Sequence, residues 1–211
     1  MTKIKICGIT NVEDARAAVA AGADMLGVNF YQPSPRYITP DAARDLINDL
    51  KSVDSAVEIV GVFVNETIDF VIDVAMVTGI DTLQLHGDES ASFCEELNTR
   101  DGFRVIKALR AREGFAPNEA EAYPVHAVML DAFHRTLRGG TGERVDFNLA
   151  RATRRLVPRL FLSGGLSPEN VREAIATVEP YAVDACSLLE SSPGKKDAAR
   201  MSAFVAAVRN G

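Results

Sequence analysis

Two side chains capable of acid–base chemistry, Cys7 and Asp131, each stand at the end of a short predicted strand: Cys7 after the alternating residues KIKI and Asp131 after the apolar residues AVML. A thiol can act as a base or nucleophile when nearby dipoles or cations lower its pKa. A carboxyl group can act as an acid when its pKa is raised. On position alone, Cys7 could equally be a small buried hydrophobic residue, and Asp131 could be a structural cap. If the two faced each other, they would suit proton transfer on a substrate lying between them.

Three segments rich in glycine and small polar residues could bind an anion: residues 138–142 (RGGTG), 163–166 (SGGL) and 184–187 (DACS). Glycine lets backbone N–H groups approach an anion closely, and the N-terminus of a following helix adds a favourable dipole. One glycine pair would be weak support, because glycine also serves tight turns. Three such segments that converge would predict a phosphate site.

The pattern along the chain indicates how these residues are positioned. Short apolar runs alternate with amphipathic helical segments, so the chain is read as repeated strand–helix units. Strands are predicted at residues 3–7, 24–30, 59–64, 82–85, 103–108, 127–131, 159–163 and 182–185. Helices are predicted at 12–21, from 39, and at 67–77, 89–97, 148–156, 167–178 and 197–209, with a poor helix near 117–122.

Eight such units indicate a parallel sheet that closes into a (β/α)8 TIM barrel, expected as one domain over residues 1–211. An open doubly wound sheet is the alternative. In a TIM barrel the active site lies at the carboxyl ends of the strands, and phosphate usually binds near strands seven and eight. Cys7 and Asp131 would then face each other across the barrel mouth. Strand five leads to Lys107, which makes this lysine another candidate.

Composition excludes several function classes. The net charge is −6, and Arg151, Arg154, Arg155 and Arg159 have the spacing of a solvated helix face, so nucleic acid is not an expected partner. No run approaches the roughly 18 apolar residues of a membrane span. Three cysteines without a CxxC pair predict a reducing cytoplasm rather than a disulfide framework. The N-terminus enters an alternating pattern at once, so no signal peptide is expected.

Several motifs, in order along nearly the whole chain, resemble the phosphoribosylanthranilate isomerases. They are residues 5–10 (KICGIT), 34–36 (SPR), 84–87 (QLHG), Asp131 with 139–142 (GGTG), 164–171 (GGLSPENV) and 193–197 (PGKKD). The resemblance implies an Amadori rearrangement, an aldose–ketose isomerisation in L-tryptophan biosynthesis. Its substrate would be N-(5-phosphoribosyl)anthranilate, and its product would be 1-(2-carboxyphenylamino)-1-deoxyribulose 5-phosphate.

The resemblance also implies residue roles. Asp131 would protonate the furanose ring oxygen, and Cys7 would remove the C2 proton. Arg36 would pair with the anthranilate carboxylate, for which its planar fork is suited, although on sequence alone it could be a surface residue. The other implied substrate-binding residues are Gln84, His86, Gly140, Thr141, Gly142, Gly164, Gly165, Asp184, Cys186 and Ser187. No metal or cofactor is expected, because both steps are proton transfers. The expected partner is the small-molecule substrate, and the chain could be a monomer or a homodimer.

The chain departs from the family pattern after strand eight. The usual segment is Asp-Val-Ser-Ser-Gly-Val-Glu, whereas residues 184–190 read DACSLLE. Cys186 therefore replaces a serine and Leu188 replaces a glycine, which would matter if that backbone had a positive φ or touched the phosphate. We expect an altered phosphate site. Because strands one and eight are neighbours, we also expect Cys7 and Cys186 to lie close enough for oxidation to join them and for dithiothreitol to restore activity.

Two other functions remain compatible with the sequence. One is a related sugar-phosphate isomerase or synthase on the same barrel, which the Cys7 and Asp131 pair disfavours. The other is a non-catalytic barrel paralogue that binds a phosphorylated metabolite. Turnover of the substrate separates an enzyme from a binding protein.

Overall fold

The computed structural model describes residues 1–53, 56–100, 102–131 and 146–210. Eight parallel strands pair in chain order and close into a barrel, because β8 pairs with β1. The strands are β1 (Lys3–Cys7), β2 (Met25–Asn29), β3 (Glu58–Phe63), β4 (Thr82–Leu85), β5 (Arg104–Arg110), β6 (Ala127–Asp131), β7 (Leu160–Ser163) and β8 (Ala182–Ala185). The TIM-barrel prediction is confirmed, and the open-sheet alternative is wrong.

Helices connect the strands around the outside of the barrel. They are α1 (Val12–Ala21), α2 (Pro40–Val53), α3 (Ile68–Thr78), α4 (Ala91–Asn98), α5 (Phe147–Arg154), α6 (Val171–Val178) and α7 (Ala198–Arg209). The segment that follows β5, predicted as a poor helix, contains a short 3-10 helix at Pro117–Ala122. Among the described residues, no helix is long and apolar enough to cross a membrane.

Alternation along the strands separates two apolar layers. Met25, Val60, Ile106, Met129 and Phe161 belong to a cluster inside the barrel. The residues between them pack in a larger cluster with the surrounding helices. Side chains of a strand point to opposite faces in turn, so Ile4 and Ile6 face the helices while Lys5 and Cys7 face the barrel interior.

The sequence signals for helix ends correspond to observed caps. Asn11 accepts a hydrogen bond from the backbone of Asp14 at the start of α1, and Gly22 ends that helix in the left-handed conformation. Asp197 caps α7 in the same way as Asn11 caps α1. Side-chain acceptors at these positions satisfy N–H groups that the helix itself leaves unpaired.

A small antiparallel hairpin beyond β8, formed by β9 (Glu190–Ser192) and β10 (Lys195–Lys196), is absent from the sequence prediction. Asp14 in α1 accepts a 2.8 Å hydrogen bond from the backbone of Lys196, which fixes the hairpin against the barrel. The hairpin brings the side chains of Glu190 and Lys196 to the barrel mouth, where both become buried.

Candidate active site

A cavity of about 460 Å³ opens at the carboxyl ends of the barrel strands. This volume lies within the range of small-molecule sites. Polar and glycine residues from most of the strand ends meet there. The lining residues discussed below are Cys7, Arg36, Gln84, His86, Arg110, Asp131, Ser163, Gly164, Gly165, Asp184, Cys186 and Ser187, together with the apolar Leu188.

Cys7 ends β1 and is 9 % exposed, at the floor of this cavity. Its neighbour on β2 in the strand register is Gly27. A Cβ atom on Gly27 would stand 2.7 Å from the Cys7 sulfur, closer than real carbon contacts allow. Glycine at this position therefore leaves the space that the thiol occupies.

The second cysteine of the mouth, Cys186, follows β8 and lies beside Cys7. A hydrogen bond from Cys186 is the largest influence that lowers the pKa of Cys7, while burial opposes it and the charge of Lys5 assists it. The same hydrogen bond, together with burial, raises the pKa of Cys186. These opposite pKa shifts favour the thiolate form at Cys7 and the protonated form at Cys186. The predicted proximity of the two cysteines is confirmed, both are free thiols, and their oxidation stays a prediction.

Asp184, one of the candidate substrate-binding residues, lines the cavity but is almost completely buried. One carboxylate oxygen accepts a 2.7 Å bond from the Lys5 ammonium, and the other accepts a 3.1 Å hydrogen bond from the Ser163 hydroxyl. Both oxygens are therefore engaged by the protein. This arrangement suits a role in orienting neighbouring groups.

Arg36 reaches the mouth from the segment that follows β2 and is held by Glu190 of the hairpin. Its Nε and Nη2 donate to the two Glu190 oxygens at 2.8 and 2.6 Å. Lys196 donates to the same carboxylate at 2.9 Å. Burial alone would raise the pKa of Glu190, but the hydrogen bonds from Arg36 and Lys196 lower it. The guanidinium is thus fixed by a bidentate pair, and among the described residues no partner occupies its Nη1.

Gln84 at the end of β4 and the adjoining His86 form a polar pair on another side of the cavity. The Gln84 amide nitrogen lies 2.8 Å from His86 Nδ1, so the assigned geometry makes Nδ1 the acceptor and places the proton on Nε2. Burial lowers the pKa of His86, which keeps the ring neutral. The Gln84 carbonyl oxygen is buried without a hydrogen-bond partner among the described residues.

Two described loops present backbone groups at the sector after β7 and β8. Gly164 and Gly165 have φ values of 101° and 65°, a conformation that L-residues with a side chain rarely adopt. Asn170 holds this loop, since it donates to the Gly165 carbonyl at 2.8 Å and accepts from the Ser167 backbone at 2.9 Å. Cys186 and Ser187 provide the second loop. Gly140, Thr141 and Gly142, from the third predicted segment, lie outside the described residues.

Leu188 lines the same sector and is 45 % exposed. It lies within a 3-10 turn, Ser187–Leu189. The non-glycine residues with positive φ in the described ranges are Asn65 and Glu179. The leucine therefore sits in an ordinary backbone conformation, so the glycine replacement costs no backbone strain. Its side chain instead narrows the cavity rim.

Asp131 ends β6 and lines the cavity together with Cys7. Strands β7 and β8 separate β6 from β1, so the two side chains approach the cavity from different sides. Asp131 lies between Arg110 on β5 and Ser163 on β7 in the strand register. The structure thus brings the predicted acid and base to one cavity with Arg36 and the glycine loop.

Comparison with known proteins identifies the family of this chain. The family model for N-(5'-phosphoribosyl)anthranilate isomerase matches residues 4–207. The isomerase of that name from Citrifermentans bemidjiense is 46 % identical over 206 residues, which cover 98 % of this chain and 96 % of the relative. This chain belongs to the N-(5'-phosphoribosyl)anthranilate isomerase family.

Solved isomerases of this family share the whole fold. The phosphoribosylanthranilate isomerase of Thermotoga maritima superposes with a TM-score of 0.87 at 40 % identity, with all of both chains covered. A phosphoribosylanthranilate isomerase in complex with reduced 1-(o-carboxyphenylamino)-1-deoxyribulose 5-phosphate has a TM-score of 0.85 at 39 % identity, again over both whole chains. The isomerase resemblance carried by the sequence motifs is therefore confirmed.

Three residues of the barrel strands were missed or misplaced from the sequence. Strand five was predicted to end at Ala108, with Lys107 near the mouth. In the structure β5 continues to Arg110, which lines the cavity, and Lys107 faces the helices and pairs with Glu89 at 2.6 Å. The alternation from Ile106 through Ala108 could have revealed Arg110. Lys5 was interpreted only as part of the KICGIT motif, because nothing in the sequence around it indicates that Asp184 is its partner.

Proposed function

We propose that this chain catalyses the Amadori rearrangement of N-(5-phosphoribosyl)anthranilate to 1-(2-carboxyphenylamino)-1-deoxyribulose 5-phosphate, as an isomerase of tryptophan biosynthesis. The observation that carries the residue assignment is the shared cavity of Cys7 and Asp131 at the ends of β1 and β6. Both proposed steps are proton transfers, and such a cavity can place one acid and one base around a single sugar.

The order of proton transfers follows from the substrate's chemistry. Asp131 donates a proton to the furanose ring oxygen, so the bond from that oxygen to C1 breaks and C1 forms a Schiff base with the anthranilate nitrogen. The iminium acidifies C2, and the Cys7 thiolate removes the C2 proton. The resulting enolamine tautomerises, with a proton gained at C1 and lost from the C2 hydroxyl, to give the ketone.

The two ends of the substrate are anions, and the cavity offers a different group for each. Arg36 is proposed to bind the anthranilate carboxylate with the nitrogen that Glu190 leaves available. The backbone groups of Gly164, Gly165, Cys186 and Ser187 are proposed to hold the phosphate, with Gly140, Thr141 and Gly142 contributing from the third segment. Gln84 and His86 are proposed to bind the central part of the substrate, since they line the wall of the cavity.

The remaining expectations are proposals as well. The described residues contain no cluster of three or more metal-ligating side chains, and the proposed chemistry uses proton transfers alone. Free thiols suit a reducing compartment, so we place the enzyme in the cytoplasm. We also propose that residues 1–211 form one domain, and that this acts as a monomer or a homodimer.

The test is turnover of freshly prepared phosphoribosylanthranilate by the purified protein, with the ketose product identified by chromatography. Cys7→Ser and Asp131→Asn are expected to lower kcat by about 10²–10⁴-fold, the usual contribution of a positioned acid or base, with a smaller change in KM. If either variant keeps near-native kcat, the assignment of that residue is wrong.

Matched controls separate lost chemistry from lost folding. Cys94→Ala removes a buried thiol from α4, outside the cavity, and Asp197→Asn keeps a capping side chain at the start of α7. Both controls should retain turnover. Substrate binding by the native protein without any turnover would instead favour the non-catalytic paralogue.

A further inference from the structure

Lys5 places a completely buried ammonium group inside the barrel. Its side chain is 0 % exposed, and it precedes Cys7 by two residues on the same face of β1. An ion without compensation is expensive to bury. The roles proposed above leave this residue without a function, although it is the cation nearest to the proposed base along its strand.

The Lys5 ammonium and the Cys7 sulfur meet over Gly27 of the neighbouring strand. A Cβ atom on Gly27 would stand 3.0 Å from Lys5 Nζ and 2.7 Å from Cys7 Sγ. Both atoms therefore converge on the small space that the missing side chain leaves. The positive charge of the ammonium so close to the sulfur lowers the pKa of the Cys7 thiol.

Asp184 keeps this ammonium charged. Burial alone would favour the neutral amine, but the carboxylate of Asp184, 2.7 Å away, and then the Cys7 thiolate outweigh burial and raise the pKa of Lys5. Ser163 holds the other Asp184 oxygen, so the carboxylate has a fixed orientation. The hydrogen-bonded series from Ser163 through Asp184 to Lys5 thus leads to the Cys7 sulfur.

Other charged and titratable groups also shift the pKa of the Cys7 thiol. Asp184 alone would raise the pKa of the Cys7 thiol, because a second anion disfavours the thiolate. Cys186 lowers it by donating a hydrogen bond. Arg36 is itself influenced by the charge of Cys7, although its guanidinium is paired with Glu190. Lys5 is therefore the cation that offsets Asp184 next to the sulfur.

We propose that Lys5 is a positioning residue of the isomerase, whose ammonium, oriented by Asp184, holds the Cys7 sulfur as a thiolate next to the substrate. The inference rests on the proposed function, in which Cys7 is the base. The competing explanation is a purely structural ion pair, such as the one that Lys107 forms with Glu89 on the helix side of β5.

The experiment measures how fast iodoacetamide alkylates Cys7 as a function of pH, with the Cys7 peptide followed by mass spectrometry. The variants are Lys5→Met and Lys5→Met/Asp184→Asn, of which the second avoids leaving a buried carboxylate unpaired. We expect the midpoint of alkylation to move up by about 1–3 pH units in Lys5→Met, the usual effect of a close opposite charge. It should move up by less in the double variant, because the loss of Asp184 also removes an anion that raises the pKa of the Cys7 thiol. The kcat/KM of the variants should fall at low pH and approach the native value at high pH.

The matched control is Lys107→Met/Glu89→Gln, which removes an equally buried ion pair from the opposite face of the sheet. Its Cys7 midpoint should equal that of the native protein, even if its stability is lower. A midpoint that moves in the control as much as in the Lys5 variants would overturn the proposal, because general loosening of the barrel would then explain both.

Two further outcomes keep this inference separate from the proposed function. A native midpoint in the ordinary thiol range, near about 8.5, would overturn the role of Lys5 without any variant. A midpoint that rises in both Lys5 variants while kcat/KM stays native at every pH would support the coupling of Lys5 to Cys7. That last result would contradict Cys7 as the base, which is the proposed function rather than the inference.

Discussion

The two cysteines of the cavity shift each other's pKa in opposite directions. A hydrogen bond donated by Cys186 lowers the pKa of Cys7, and the same interaction raises the pKa of Cys186, which favours the thiolate at Cys7. The family pattern implies a serine at position 186, and a serine hydroxyl is also a donor. The substitution in this chain therefore changes the donor atom from oxygen to sulfur while keeping a donor in place.

This hydrogen bond predicts a shift in the pH dependence of catalysis. Cys7 works as a base only when unprotonated, so kcat/KM should rise as pH increases through the pKa of Cys7. Cys186→Ala removes the donor, which raises that pKa and moves the rise to higher pH. A hydrogen bond to a charged group is worth about 1.5–3 kcal/mol, equivalent to about one to two pH units.

Cys186→Ser is the matched variant, because it retains a hydroxyl donor. Its pH–rate profile should stay close to that of the native enzyme. If the alanine and serine variants gave the same profile as the native enzyme, the hydrogen bond would have no influence on the base.

At the scale of elements, strand register determines which groups meet. The pairing of β1 with β2 sets Cys7 beside Gly27, and the pairing of β1 with β8 sets Lys5 beside Asp184. A shift by one residue would turn the inward side chains to the helix layer. The register thus places the base, its cation and that cation's carboxylate at one point of the barrel.

Gly27→Ala should disrupt the active site through steric crowding alone. A Cβ atom there would also lie 3.0 Å from the Cys7 backbone, which cannot move as a flexible side chain does. We expect kcat to fall at least about tenfold, since small displacements of a catalytic group can cost about 10²-fold. Steady-state kinetics at saturating substrate measure this loss.

Gly61→Ala on β3 provides the control for general crowding. Its Cβ atom would meet the rings of Phe63 and Phe30 at 2.9 and 3.3 Å, in the layer that faces the helices. Both variants should be less stable than the native protein, but only Gly27→Ala should lose kcat in its folded form. Equal losses of kcat in the two variants would contradict the local explanation.

For the whole molecule, barrel closure depends on the helix layer as well as on the strands. Helix α7 packs against α1 and α6 and follows the hairpin that carries Glu190. Its Phe204 is completely buried in the outer core. Arg209 then ties the end of α7 to Asp24 at 2.7 Å, next to the start of β2. Closure and the mouth are therefore stabilised by the same terminal segment.

Phe204→Ala should lower the free energy of unfolding by about 3–5 kcal/mol, the usual cost of a large cavity in a packed core. Urea unfolding measures the change. The comparison variant is Phe70→Ala on α3, where the ring is 38 % exposed and the expected loss is about 1 kcal/mol or less. Similar losses in both variants would show that α7 is not part of the tightly packed core.

Much of the barrel was predictable because local signals agree with the fold. Short segments of alternating or continuous apolar residues indicate strands, so β1, β4, β6 and β8 were predicted with their observed bounds. The predicted end of β5 was wrong, because Lys107 was taken as a polar residue close to the end of the strand. An amphipathic lysine can face the helix layer when a carboxylate such as Glu89 pairs with it. The residues next to Lys107 in the sequence do not reveal that partner.

By itself, the sequence determined the eight-unit barrel, the family, and the candidates Cys7, Asp131 and Arg36 at strand ends, because strand periodicity and motifs are local properties of the chain. Only the tertiary structure decided what surrounds these groups. Lys5 and Asp184 are separated by 179 positions, and Arg36 and Glu190 by 154. Barrel closure and the β9–β10 hairpin bring these pairs into contact, and the charge and burial that govern the pKa of Cys7 arise only from such contacts.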